Sequence, residues 1–310
     1  MYKARLYKPE SDLRQMCELL LESDATAVHA GDLQFKLSDP SVNCEKAVRV
    51  WEQEDGQIIG FAFIHLNCYE FIFETKPCHY RSEIEVEIIE WVLEQFNRAS
   101  TVDSYRHTFF MTSAPEFALE RISLLKSFGF TRDEKYSVYL DYPLDSEIPA
   151  AAKLPKGFTI RRLKNADGTQ AYIEAHHNAF LFDNLTEQWR RNVLQMPEYI
   201  PELDLVAVAP NGEFAAICLC WLEQKQSDTG TVKKGYIQTV GTQHKFQNMG
   251  IGQALFVTAL HRLKMFGAQV AVGDTDADNT FALRLYESAG VRRLHKTYRY
   301  FWNVSSGEEK

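Results

Sequence analysis

Long apolar runs are missing from this chain. No segment of its 310 residues reaches the roughly 18 consecutive apolar positions of a membrane-crossing helix, and the opening MYKARLYKPESD has no apolar core of the secretion-signal kind. The expectation is a cytoplasmic protein without a membrane partner. Cysteine is sparse and unpaired in pattern: Cys17, Cys44, Cys68, Cys78, Cys218 and Cys220 form no C-x-x-C, and none stands at zinc-ligand spacing to the nine histidines. A disulfide framework and a bound metal are therefore not expected. Positive charge is in deficit, the formal net charge being -8, which argues against a nucleic-acid partner and suits a cationic acceptor.

What is present fits about two globular domains, each large enough for a core. The segment LDYPLDSEIPAAAKLPKG carries three prolines and no periodicity, so it reads as a linker near residues 143–156 and divides the chain into 1–145 and 155–310. The same order of elements stands on both sides of it. A strand and a helix open each half (ARLYKPESDLRQMCELLLES and FTIRRLKNADGTQAYIEAHHNAF). Each then has a hairpin, signalled by Asp55-Gly56 in one copy and Asn211-Gly212 in the other, followed by a strand and further strand–helix alternation. In the first half this predicts helices over Ser82–Phe96 and Pro115–Phe128. Two copies of one α/β unit is the simplest account.

The most informative stretch is VGTQHKFQNMGIG, Val240 to Gly252. A β-prone run, Tyr236–Val240, enters it, and a helical pattern from about Gly250 to Met265 leaves it, with Gly267 at its end. The first free N–H groups of a helix form an anion site, and glycine at positions 250 and 252 lets a phosphate approach them. The loop is not Walker A, which needs Gly-Lys-Ser/Thr. Nor is it a dinucleotide fingerprint, which needs glycine or alanine at Leu255. Its pattern, Gln247-x-x-Gly250-x-Gly252, resembles the acyl-CoA pyrophosphate loop of the GNAT superfamily of N-acetyltransferases. The helix DNTFALRLYESAG, which follows an apolar run at Ala268–Val272, carries Asn279 and Tyr286, matching the N-x6-Y helix of that family. Seven residues is close to two helical turns, so both side chains share a face.

The resemblance covers roughly residues 157–304. It implies an α/β (α+β) chain of two tandem GNAT-like acyl-CoA N-acyltransferase units, each a mixed central sheet flanked by helices, in a layout similar to mycothiol synthase-type proteins. It also implies acetyl-CoA as cosubstrate and a small-molecule primary amine as acceptor, in a monomer or homodimer. By the same resemblance, Val240, Gly241 and Thr242 lie beside the acetyl group and the pantetheine arm. Gln247, Asn248, Met249, Gly250, Ile251, Gly252 and Gln253 hold the pyrophosphate, Asn279 lies along the arm, and Tyr286 both contacts the donor and protonates the leaving thiolate.

In the first half the corresponding positions have changed. Aligning the two helices through Gly129 and Gly290 puts Ala118 at Asn279 and Leu125 at Tyr286. If Arg81 replaces Gln247, Ile84 and Val86 stand for the two loop glycines. The first half thus reads as a degenerate copy without an acetyl-CoA site. The strand before the loop has no carboxylate, so a general base is open among Asp274, Asp276, Glu174, Asp183 and Glu187. An acetyl-cysteine route through Cys218 or Cys220, and a base or ligand role for His176 or His177, are the less favoured readings. The alternative from a different class is a non-catalytic acyl-CoA-binding or regulatory module; Tyr286 beside Asn279 favours the enzyme, since binding alone needs no proton donor.

Overall fold

The computed structural model describes residues 2–23, 26–80, 82–102, 109–163, 168–180, 184–227 and 230–303. Arg81 and Asp183, named above, lie outside them. The chain forms two compact units, and neither is one contiguous half. Unit 1 comprises residues 1–33, 41–137 and 295–310; unit 2 comprises 34–40 and 138–294. The expected division into 1–145 and 155–310 therefore differs from the compact units at the linker, at the C-terminal strand and at one short segment.

In unit 1, β1 (Tyr2–Leu6) leads to α1 (Pro9–Glu22), α2 (Ala30–Leu37) and α3 (Cys44–Ala47). The hairpin β2 (Val48–Gln53) and β3 (Ile58–His65) follows, turning at Gly56 with φ +81°, as Asp-Gly signals. Then come β4 (Glu70–Thr75), α4 (Glu83–Val102), β5 (Phe109–Pro115) and α5 (Leu119–Ser127). Pro115 ends the strand and does not open the helix, which begins four residues later. The strands lie in the order β1-β2-β3-β4-β5-β12, where β12 (Arg292–Asn303) pairs antiparallel with β5 from Thr297↔Pro115 to Asn303↔Phe109. Ile88, Val92 and Phe96 of α4 recur at helical spacing and pack on Phe71, Phe73 and Phe110 of the sheet.

Unit 2 repeats the order. It has β7 (Thr159–Arg162), α6 (Thr169–Ala179), α7 (Glu187–Val193), β8 (Asp204–Val208), β9 (Phe214–Ser227), β10 (Gly230–Thr242), α8 (Ile251–Met265), β11 (Val270–Asp276) and α9 (Thr280–Ser288). Its sheet runs β6-β11-β10-β9-β8-β7, the part of β6 (Thr131–Pro143) from Val138 onward belonging to this unit. Along β9, Ile217, Leu219 and Trp221 face Tyr172, Trp189 and the other apolar side chains of α6 and α7. The alternate residues Cys218 and Cys220 are also buried, so both faces of the strand are covered.

Among the described residues no helix is long and apolar enough to cross a membrane, and no cluster of His, Cys, Asp or Glu is set to hold a metal ion.

Candidate active site

β10 and β11 are parallel neighbours over only three pairs, Lys234↔Val270, Gly235↔Ala271 and Tyr236↔Val272. Both strands continue, β10 to Thr242 and β11 to Asp276, without further pairing to each other, so the sheet opens between them. On its other edge β10 stays paired with β9, with a register shift between Ile237 and Thr239 that absorbs Gln238 as an extra residue. A bulge of this kind increases local twist and bends the strand. A parallel pair that stops in mid-sheet leaves alternate backbone N–H groups of one edge of β10 facing the gap.

From the end of β10 the chain passes through a short 3-10 turn, His244–Phe246, into α8. Gln243 fixes the exit: its N–H donates to Ala215 O (3.0 Å) and its Nε2 to Phe214 O (2.6 Å). Gln247 ties the loop back, its Nε2 donating to Thr242 O at 3.2 Å. Asn248 (φ +60°) and Gly250 (φ +75°) are both left-handed. Gly250 is the N-cap of α8 and supplies no side chain to its first turn. The first amide of that region engaged in the helix is Ala254 N, which donates to Gly250 O at 3.0 Å; the N–H groups of residues 248–253 make no hydrogen bond among the described residues.

The two glycines have different reasons to be there. Gly250 serves the backbone, since a branched residue at positive φ is strained. Gly252 serves proximity, since a Cβ on it would lie 2.8 Å from Thr242 Oγ1.

These elements wall an open cleft of about 330 Å³. Ten of the residues singled out from the sequence line it: Val240, Gly241, Thr242, Gln247, Asn248, Gly250, Ile251, Gly252, Gln253 and Asn279. Met249 is not among the lining residues and is 40% exposed. The sequence reading missed Ala179 at the end of α6 and Phe180 just after it, Phe246 of the 3-10 turn, and Phe281, Ala282 and Leu285 of α9. The signal for the α9 residues was available, since positions 282 and 285 lie within a turn of Asn279 and Tyr286 on an amphipathic helix. No basic side chain lines the cleft among the described residues, and nearby Lys245 is paired with Glu213. An anion held there would meet backbone dipoles and not cationic side chains.

Asn279 is the N-cap of α9, its Oδ1 accepting from Ala282 N at 3.1 Å. Tyr286 lies farther in. It is 7% exposed, its ring centroid is 5.1 Å from that of Phe256, and it lines a small apolar cavity with Ile237, Val272 and Gly273 where β10 and β11 part. Its hydroxyl makes no hydrogen bond to a described residue. Burial pushes its phenol well above the usual range, with the Asp274 charge and the Cys218 and Cys220 thiols adding to the effect. The group stays protonated at neutral pH.

The less favoured candidates find other employment. Cys218 and Cys220 are buried with their sulfurs 3.8 Å apart, and the Cys218 contact together with burial pushes the Cys220 thiol up, which makes it a poor nucleophile. His177 Nε2 lies 3.0 Å from Leu185 O, and the His176 ring stacks on Tyr172 and meets Phe180 at a tilt. Glu187 pairs with Arg191 on the α7 surface, and Glu174, Asp274 and Asp276 are exposed. Of these carboxylates Asp274 is the one whose charge acts on Tyr286.

Unit 1 has the same backbone at this place and different chemistry. Lys76 (φ -57°, ψ 144°), whose N–H donates to Ile59 O, matches Gln243 (φ -53°, ψ 140°), and Ala118 (φ -76°, ψ 61°) matches Asn279 (φ -77°, ψ 73°). On this register Glu74 stands at Gly241 and Arg121 at Ala282. The run from Lys76 to the start of α4 is one residue shorter than the run from Gln243 to α8. Ser82 and Ile84, and not Ile84 and Val86, therefore take the places of Gly250 and Gly252; Val86 lies a turn inside the helix.

Arg121 is bidentate to Glu74 (3.0 and 2.5 Å) and lies 3.7 Å from Glu85, all three being buried, while the Thr75 hydroxyl donates to Glu85. Two carboxylates and a guanidinium fill the position of the cleft.

Residues 169–291 match the model of the acetyltransferase (GNAT) family. The match covers 123 of the 310 residues, all of them within unit 2. Among curated relatives, a mycothiol acetyltransferase of Arthrobacter sp. (strain FB24) is 31% identical over 160 residues, which is 50% of this chain and 49% of the relative. N-alpha-acetyltransferase 30 of Schizosaccharomyces pombe is 32% identical over 103 residues, 33% of this chain and 66% of the relative. The matched region thus spans about half the length of the mycothiol acetyltransferases. Solved structures extend the likeness in fold to the whole chain. A GCN5-related N-acetyltransferase from Sphaerobacter thermophilus (TM-score 0.65, 20% identity) covers 97% of this chain and 95% of its own. A tandem GNAT protein of the clavulanic acid biosynthesis pathway (TM-score 0.66, 11% identity) covers 99% and 100%.

Proposed function

We propose that the chain is an acetyl-CoA-dependent N-acetyltransferase with one active site, in unit 2, acting on a primary amine of a small molecule. The observation that carries this reading is the run of unbonded N–H groups over residues 248–253 on a cleft floored by Gly252, in a segment of GNAT sequence. Those groups would take the pyrophosphate. The pantetheine arm would run between Val240–Thr242 and the α9 face of Asn279, Ala282 and Leu285 toward the parting of β10 and β11. There the uncharged amine nitrogen bonds to the acetyl carbon, the carbon–sulfur bond breaks, Tyr286 gives its proton to the departing sulfur, and the proton shed by the nitrogen passes to water, from which the phenol is reprotonated.

An unbonded phenol where β10 and β11 part has a proton to give, and favours an enzyme over a binding module. Asp274, exposed and acting on Tyr286, would attract the incoming ammonium before it loses its proton. The names of the mycothiol acetyltransferase relatives support a small acceptor. The test is thiol release from acetyl-CoA across a panel of amino-sugar thiols, aminoglycosides, polyamines and peptide N-termini. Acceptor-dependent release supports the reading; binding of acetyl-CoA with no turnover on any acceptor would favour the non-catalytic module.

A further inference from the structure

α9 grades from open to closed along the cleft. Phe281 in its first turn is 72% exposed, Ala282 and Leu285 are partly covered, and Tyr286, which lines the separate small cavity, is buried. A lone exposed aromatic on a surface needs no explanation. Phe281 differs in that it lines the same cleft as the loop of unbonded N–H groups, at the solvent-exposed end of the α9 wall and one turn before Leu285. The matching residue of unit 1, two after Ala118, is Glu120. An open aromatic face has thus been placed on the unit whose cleft is open, and a charge on the unit whose cleft is filled.

The covalent order of acyl-CoA runs from thioester through pantetheine and pyrophosphate to the adenosine. With the thioester end toward Tyr286 and the pyrophosphate on residues 248–253, the nucleobase emerges at the mouth. We propose that Phe281 is the platform on which the adenine of the donor stacks, so that the site selects a nucleotide-bearing thioester over the same arm without its adenosine. The inference rests on the proposed function for the cleft. Every base has a π-face to offer an aromatic side chain, and such stacks are lost measurably on alanine substitution.

The experiment is calorimetric titration of the full chain with coenzyme A and with 4′-phosphopantetheine, which has the arm and one phosphate but no adenosine. Phe281→Ala is expected to weaken coenzyme A binding roughly 10-fold to 100-fold, the range seen for base–aromatic stacks, and to leave 4′-phosphopantetheine affinity unchanged. Phe281→Trp restores or exceeds the wild-type affinity for coenzyme A. Equal weakening of both ligands, or an unchanged affinity for coenzyme A in Phe281→Ala and Phe281→Glu, overturns the proposal. Failure of the wild-type chain to bind either ligand is a different result: it removes the donor site itself, and this inference with it.

Discussion

A side chain on Gly252 would begin 2.8 Å from the Thr242 hydroxyl, so the first turn of α8 rests directly on the end of β10. Alanine is the better helix former by about 1 kcal/mol, and on propensity alone Gly252→Ala would stabilise α8. The expected outcome is the reverse: no gain in thermal stability and a loss of acetyl-CoA affinity of about 10-fold or more, worth roughly 1.4 kcal/mol. Because the obstacle is one hydroxyl, adding Thr242→Ala should recover part of the loss, with a coupling of roughly 0.5–3 kcal/mol in a double-mutant cycle. Strict additivity would show that the two residues do not oppose each other.

Calorimetry should give one acetyl-CoA per chain. In unit 1 the counterparts of Gly241, Ala282 and Gln253 are Glu74, Arg121 and Glu85, joined in a buried cluster that takes up the lining positions of the cleft. Gly250→Val should abolish binding, and because φ there is +75° it should also carry a backbone cost of about 1–2 kcal/mol. A second equivalent site, or binding that survives in Gly250→Val, would contradict the assignment.

Tyr286→Phe keeps the ring against Phe256 and removes one proton. Acetyl-CoA affinity should stay near wild type while turnover falls by roughly 10²-fold or more, the usual weight of acid catalysis. The pH profile offers a separate reading. Burial raises the pKa of this phenol, so it remains the proton donor beyond the usual tyrosine range, and no alkaline loss of turnover assignable to Tyr286 is expected up to about pH 10. Undiminished turnover in the phenylalanine variant would return Tyr286 to a packing role.

Arg190 and Asp204 are both fully buried and paired, with Tyr199 donating to Asp204 at 2.6 Å and the guanidinium 3.8 Å from the Tyr172 ring centroid. Removing one member leaves the other charged and uncompensated. Arg190→Met should destabilise unit 2 by about 3–5 kcal/mol, and Arg190→Met with Asp204→Leu by distinctly less. Urea unfolding followed by the fluorescence of Trp189→Phe and Trp221→Phe variants locates the loss; a double-variant loss equal to the sum of the Arg190→Met and Asp204→Leu losses would show that the pair is not coupled.

Asp12 gives unit 1 a dependence on acid. Burial alone would raise its carboxyl, but hydrogen bonds from Arg5, the Ser11 hydroxyl and the Lys8 N–H outweigh it and hold the group below the usual range. A carboxylate with a depressed folded-state pKa contributes stability that is complete above its unfolded value, about 3.9, and is lost as pH falls through the folded value. The stability advantage of wild type over Asp12→Asn should therefore be constant from pH 7 to about 5 and shrink below about 4. An advantage that persists undiminished to pH 2 would mean the carboxylate is not what matters.

Local chemistry was legible in the sequence where a residue type has one physical use. Glycines at 250 and 252 before a helical pattern and the Asp55-Gly56 and Asn211-Gly212 turns reappear as loop and hairpins, while of the N-x6-Y pair Asn279 lines the cleft and Tyr286 a separate small cavity. Side-chain identity said less where several backbone placements suited it. Pro115 fits a helix start as well as a strand end, and the one-residue shortening before α4, which moves Ile84 to the place of Gly252, leaves no mark on composition. α2 and α7 were missed because their eight and seven residues are too few to establish a period. The Arg121–Glu74–Glu85 cluster was out of reach, since its members come from three elements and only the fold brings them together.

The assignment of β12 to unit 1 has a consequence for how the protein is made. A ribosome delivers β1 to β5 early, yet the strand that pairs with Phe109–Pro115 is the last one described, at 292–303. Throughout translation of unit 2 that edge waits with its hydrogen-bonding groups unmet and Phe110 awaiting cover, the condition in which nascent strands recruit the wrong neighbour. Unit 2 draws in turn on Val138–Pro143 and on residues 34–40. Separating the chain at the linker would leave both products short of a strand, so the first half cannot finish folding until the second has been synthesised, and the two are committed to a shared fate in the cell.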